Sequence, residues 1–247
     1  MQDFTNYTPN AQGPGSTTQA GIGSEALFFQ RIYTWMFAGL GLTALTAFIF
    51  VSAGLDVIFR ENFILFIGAL VVELGLVWYL ASRVHELEPG TAKAIFLGYA
   101  ALSGATFSVI LAYAVAAAPT AIIKAFVCTA GIYGAMAAYG MVTKRSLEGL
   151  GAFLYMGLIG LIIAMIVNIF VASSMFDLVI CVVGVLVFAG LTAFDHQKLR
   201  VMYFTAEQEG IDEDSLSRIV IIGALELYLD FVNLFMFLLR IFLHSDD

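Results

Sequence analysis

From Leu27 onward the chain alternates between long apolar runs and short polar breaks. Seven runs reach the roughly 20 residues needed to cross about 30 Å of hydrocarbon. They cover residues 28–51, 62–82, 92–114, 120–142, 150–171, 176–194 and 219–242. The breaks carry Arg60-Glu61, Glu86 to Gly90, Ala118-Pro119, Lys144-Arg145 and Ser173-Ser174, and a long polar stretch from Gln197 to Ser217 reads as a loop. Backbone groups in lipid have to satisfy one another, so runs of this length predict helices. Met1 to Ser24 are rich in Gln, Asn, Thr, Ser, Gly and Pro and contain no Lys or Arg. They lack the basic start and apolar core of a secretory signal, and they predict a disordered tail. The expected organisation is a tail over 1–24 and an all-α, seven-transmembrane-helix bundle over 25–245.

Composition enforces the membrane reading. Hydrophobic residues make up 61% of the 247 positions and charged residues 12%, against about 45–50% and about 25% in soluble domains. A soluble globule could not hide that much apolar surface, so water-soluble enzymes and secreted disulfide scaffolds are excluded. The net charge of −8, from 19 acids and 11 bases, leaves no basic stripe to meet nucleic acid. Cys128 and Cys181 lie inside apolar runs and form no CxxC pair. Arg31, Arg83, Lys93, Lys144, Arg145, Lys198, Arg200 and Arg218 flank one side of the seven spans, and Arg60, Lys124 and Arg240 the other. The excess of basic residues marks the cytoplasmic side. This predicts a cytoplasmic N-terminus and an external C-terminus. Glycines at 98, 104, 131, 134, 140, 157, 160, 184 and 190 predict close helix packing.

Acids within the spans need a reason, since each costs about 2.5–3.5 kcal/mol on insertion scales. Glu73, Asp195, Glu226 and Asp230 are such acids, whereas Asp177 reads as a helix-start residue. Glu226 and Asp230 stand four apart and share a helix face, which Asn233 extends. Carboxyl groups at close quarters cannot all ionise, so their protons belong to the group. Either they form a proton-sensing, cation-attracting site, or they are protonated and simply hydrogen-bond neighbouring helices. Counted at 1.5 Å per residue from Arg200 and Arg218, Asp195 lies roughly 8 Å deep, Glu226 about 12 Å and Asp230 about 18 Å. That count sets Asp195 level with Glu226 rather than Asp230, unless Asp195 is instead an interfacial residue paired with Lys198 or Arg200. His196 is either a titrating sensor or a wetted interfacial histidine. Glu73 has no partner fixed by sequence, and Arg83 could reach an acid at a similar depth. No Walker A, Gly-x-Ser-x-Gly, His-Glu-x-x-His or metal-spaced His/Cys cluster occurs. No enzyme activity and no cofactor are expected.

Several segments carry a family resemblance: Glu73-Leu74-Gly75-Leu76, Leu102 to Ser108, Tyr139 to Lys144, and Val167-Asn168-Ile169-Phe170. The most specific are Leu191-Thr192-Ala193-Phe194-Asp195-His196-Gln197 and Leu227-Tyr228-Leu229-Asp230-Phe231-Val232-Asn233-Leu234-Phe235. Over about residues 25–243 the chain resembles the bacterial branch of the Bax inhibitor-1 family, the transmembrane Bax inhibitor motif proteins. The resemblance implies seven helices with the last one central, and a pH-sensitive calcium leak. It implies that Asp195 and Asp230 form the proton-sensing dyad, and that an arginine on the second span latches the sixth-span aspartate, a role that here would fall to Arg83. A membrane-bound AAA protease is an implied partner. This chain carries Asp195-His196-Gln197 where the family usually has Asp-Thr-Gln.

The resulting expectation is a monomeric, passive, pH-gated calcium leak with calcium as the permeating ion. Asp195, Glu226 and Asp230 would be transient oxygen ligands for the cation, and Glu73, Arg83, His196 and Asn233 candidate path or gating residues. The alternatives are a non-conducting regulator that binds the protease through its tail and its acidic 197–217 segment, and a proton-coupled exchanger.

Overall fold

The computed structural model describes residues 17–84 and 86–246. These form eight helices: α1 (Thr17–Ser52), α2 (Asp56–Glu61), α3 (Phe63–Arg83), α4 (Pro89–Ala117), α5 (Pro119–Val142), α6 (Glu148–Val171), α7 (Ser174–Glu209) and α8 (Glu213–Asp246). No strand occurs among the described residues. All but α2 are long and apolar enough to cross a membrane, which gives the seven spans read from the sequence. Residues 1–16 of the expected tail lie outside the described residues, and α1 begins at Thr17, eight positions before the expected border at 25.

The helix boundaries follow local chemistry. Pro89 and Pro119 open α4 and α5 at the first helical turn, where a missing N–H costs nothing. Ser173 caps α7, its Oγ accepting from Phe176 N at 3.3 Å. The largest departure from the sequence reading lies between Gln197 and Ser217. This stretch is not a loop: α7 runs on to Glu209, a short turn follows, and α8 has begun by Glu213. The segment is polar because it projects beyond the apolar bundle, yet Lys198, Leu199, Arg200, Met202, Ala206 and Glu207 all favour helix. What stops α7 is Gly210, whose φ of 63° supplies the left-handed cap. Asp212 then starts α8; the Ser215 hydroxyl, 2.5 Å away, holds its carboxyl below the usual carboxylate range.

Helix α8 is the axis of the bundle and packs against α1, α4, α5 and α7. Within its apolar window 56% of residues are buried, against 17% in α3 and in α6. Those two lie at the periphery, α3 on α4 and α6 on α7. Their outward side chains, such as Ile64, Leu74, Trp78, Phe153 and Phe170, are exposed and apolar, as a lipid-facing surface requires. Around α8 the core is aromatic: Tyr228 is fully buried, with Phe96 and Tyr99 edge-on to its ring. Its hydroxyl lies 2.7 Å from Thr43 Oγ1, which also donates to the Ala100 carbonyl at 2.8 Å. One polar contact therefore ties α1, α4 and α8 together.

Close approach depends on particular glycines rather than on glycine in general. A Cβ at Gly104 would sit 2.4 Å from the Thr43 carbonyl oxygen, and one at Gly140 2.1 Å from that of Ala193. At Gly98, Gly131, Gly134 and Gly160 it would meet nothing within 4 Å. The α5–α7 contact at Gly140 falls two residues before Asp195 and so sets where that carboxylate stands. Gly140→Ala is therefore expected to force these backbones apart at a cost of about 1–3 kcal/mol, while Gly131→Ala stays near wild type. Thermal unfolding of the two variants in detergent checks the contrast.

Candidate functional site

Asp195 on α7 and Asp230 on α8 are 4% and 3% exposed. Their side chains are hydrogen-bond partners across the α7–α8 interface. A carboxylate only accepts, so a bond between two carboxyl groups contains a proton. Tyr155 of α6 lies near Asp195, and Tyr133 of α5 lies near both aspartates. Even so, Asp195 Oδ1 and Asp230 Oδ2 have no hydrogen-bond partner among the described residues, and neither does Glu226 Oε2. The other Glu226 oxygen receives Lys198 Nζ at 2.5 Å.

Asp195 meets Asp230, although Glu226 is close enough to act on both aspartates electrostatically. Moving the helix ends out to Glu209 and Glu213 leaves Asp195 nearer in count to Glu226 than to Asp230, so depth along the helices does not by itself pick its partner. Lys198 pairs with Glu226 rather than making Asp195 an interfacial ion pair. Among the described residues no group of three or more His, Cys, Asp or Glu is gathered to hold a metal ion. Asp195, Glu226 and Asp230 are therefore neighbours without forming a ready cation cage in this arrangement, and an ammonium stands on Glu226 instead.

The remaining candidates separate. His196 is completely buried rather than wetted, with Nδ1 2.6 Å from the Thr192 carbonyl and Nε2 2.9 Å from the Tyr33 hydroxyl. The carbonyl fixes the proton on Nδ1, and a neutral ring then accepts from Tyr33. Phe29, Tyr33 and Tyr133 surround the ring. Asn233, three residues beyond Asp230 on α8, donates its amide to the Leu229 carbonyl of its own helix at 2.8 Å. Arg83 is exposed at the end of α3 and engaged by Glu86 at 2.5 Å, not by an acid of the core. Glu73 is buried at the α3–α4 contact, where Thr106 Oγ1 donates to it at 2.7 Å.

At the opposite end of the bundle Asp177 is more than a helix-start residue. Its carboxyl is paired with Arg240 of α8 and accepts from Asn168 of α6 at 3.3 Å. His244 Nε2 lies 3.7 Å from its second oxygen. Near the start of α1, Arg200 bridges Glu25 and the Met141 carbonyl at 2.9 and 2.7 Å. Sequence reasoning passed over Tyr155, Tyr133, Tyr33 and Thr106. The available signal was that hydroxyls inside apolar spans have to find partners.

A polytopic bundle with an acid pair buried between α7 and its central helix α8 defines a class of integral membrane protein. Residues 25–247 match the family described as "Inhibitor of apoptosis-promoting Bax1", and the chain belongs to this Bax inhibitor family. It is 42% identical over 217 residues to the inner membrane protein YbhL of Escherichia coli K12, covering 87% of this chain and 90% of that protein. It is 41% identical over 225 residues to an uncharacterized protein of Deinococcus radiodurans, covering 91% and 94%. An uncharacterized membrane protein of Streptococcus pyogenes serotype M1 is 37% identical over 237 residues, covering 93% and 97%.

The Glu73–Thr106 bond yields a prediction. Thr106→Val keeps the shape but leaves a buried carboxyl oxygen without its donor, at an expected cost of about 1–3 kcal/mol. Glu73→Gln retains an acceptor for Thr106 and is expected to cost less. Unfolding midpoints of both variants in detergent measure the difference.

Proposed function

We propose that this protein is a passive, pH-gated cation leak, with calcium as its permeating ion and the Asp195–Asp230 pair as its proton sensor. The observation that carries this reading is the buried contact of two carboxyl groups between α7 and the central α8. The proton they share holds the two helices together. Its loss leaves two like charges facing each other in a medium of low dielectric, which drives the helices apart and attracts a hard cation. Glu226, beside the pair, adds a third set of oxygens. Loose, unsaturated ligation suits release as well as entry. His196, with both ring nitrogens engaged, serves as a packing residue of α7 rather than the sensor. The protein works without a cofactor or enzymatic chemistry, as a monomer in the bacterial inner membrane with its N-terminus in the cytoplasm. The named location of the E. coli relative and the excess of basic residues at that end of the spans support this placement.

A second reading has its own support. The turn joining α7 and α8 exposes Glu207, Glu209, Asp212, Glu213 and Asp214, an acidic surface suited to a basic face of a membrane-bound AAA protease. In that case the acid pair locks a conformation and no ion crosses.

Calcium uptake into liposomes holding only the purified protein separates the two readings. Uptake is expected to rise as pH increases from about 5.5 to 8.5, because losing the shared proton leaves like charges facing each other. Asp195→Asn and Asp230→Asn are expected to flatten that dependence. Uptake no greater than in empty liposomes at every pH would contradict the leak and favour the regulator.

A further inference from the structure

The acid cluster holds three carboxyl groups and one facing base. Asp195, Glu226 and Asp230 each keep one buried oxygen without a donor. Buried acceptors in that state point to an absent donor or cation. The other bases at this end of the bundle are turned elsewhere. Arg200 is held by Glu25 and the Met141 carbonyl, Arg218 donates to the Leu87 carbonyl, and Arg31 pairs with Glu213. Lys198 is the base that acts on all three acids, and its direct contact is with Glu226 Oε1 at 2.5 Å. It sits one helical turn beyond Asp195 on α7, and its side chain remains 33% exposed. An ammonium on a flexible four-carbon stem can leave such a position, whereas a fixed guanidinium fork cannot.

We propose that the Lys198 ammonium is a tethered counter-cation, which occupies the Glu226 corner of the cluster and has to swing away before a free divalent cation binds there. This rests on the reading of the cluster as a cation path and adds the residue that limits occupancy. Lys198 and a divalent ion compete for the same oxygens, so the site's apparent affinity is lowered by the fraction of time Lys198 is seated. The tether keeps the cluster from becoming a trap, since three free carboxyls would hold calcium too tightly to release it.

Calcium binding to the purified protein in detergent, followed by calorimetry, tests the idea. Lys198→Met is expected to bind Ca2+ about tenfold more tightly or better, the scale of one lost charge–charge competition. Lys198→Arg keeps the charge and is expected to bind no more tightly than wild type. Lys198→Met with Glu226→Gln is expected to lose the gain, because the vacated carboxylate charge is gone. Wild-type protein gives a readout that needs no variant: Ca2+ is expected to raise acetylation of Lys198 by acetic anhydride, while the exposed Lys144 stays constant. A folded Lys198→Met with unchanged affinity would overturn the inference, as would Lys198 labelling that Ca2+ binding leaves unmoved. If wild-type liposomes still take up calcium in that case, the leak stands and only the tether falls. Neither binding nor uptake in wild type and every variant would overturn both.

Discussion

Two carboxyl groups in contact inside an apolar bundle cannot both be charged, and much of this molecule is arranged around that constraint. Asp230 lies on α8, the helix that the rest of the core encloses, and Asp195 meets it from α7. The pair is electrically tolerable only while a proton bridges it. The backbone fixes the distance. Gly140 lets α5 press against α7 at Ala193, and the Tyr228–Thr43 bond pins α8 to α1 and α4. The helices carrying the two acids are thus held from outside the pair, which in the proposed gate leaves the proton to decide how they meet each other.

The other ionisable groups are settled in ways that keep this pair distinct. Glu73 has its own donor in Thr106, on the face of α4 that packs against α3. Asp177 at the distal end is claimed by Arg240 and Asn168. At the end where α1 enters, Arg31, Arg200 and Arg218 tie α1, α5, α7 and α8 to one another and to the turn before α4. Buried acceptors without donors gather where Asp195, Glu226 and Asp230 come together, with Lys198 half in and half out. Apart from Ser103 Oγ on α4, the buried side-chain oxygens without a partner among the described residues lie at this one place, and the proposed response to protons and cations rests on it.

Much of this was legible in the sequence. The seven spans follow from run length alone, and the identity of the acids follows from their cost in lipid. The shared segments around Asp195 and Asp230 pointed to the family that residues 25–247 match. The extension of α7 to Glu209 was not legible, because polarity was read as loop when it only marked the edge of the apolar bundle. His196 was misplaced for a related reason: a histidine next to the last apolar residue of a run looks interfacial until the helix is known to continue. Tyr33 and Tyr155, which come from α1 and α6, contact α7 at sequence separations that no local pattern records.

Infrared difference spectroscopy of the purified protein reads the central claim most directly, because a protonated carboxyl group has a carbonyl band separate from that of a carboxylate. A proton shared between Asp195 and Asp230 predicts such a band, lost reversibly as pH rises and altered or absent in Asp195→Asn and in Asp230→Asn. A pH-dependent band unchanged in both variants, or no titrating carboxyl band at all, would contradict the shared proton and the gate built on it.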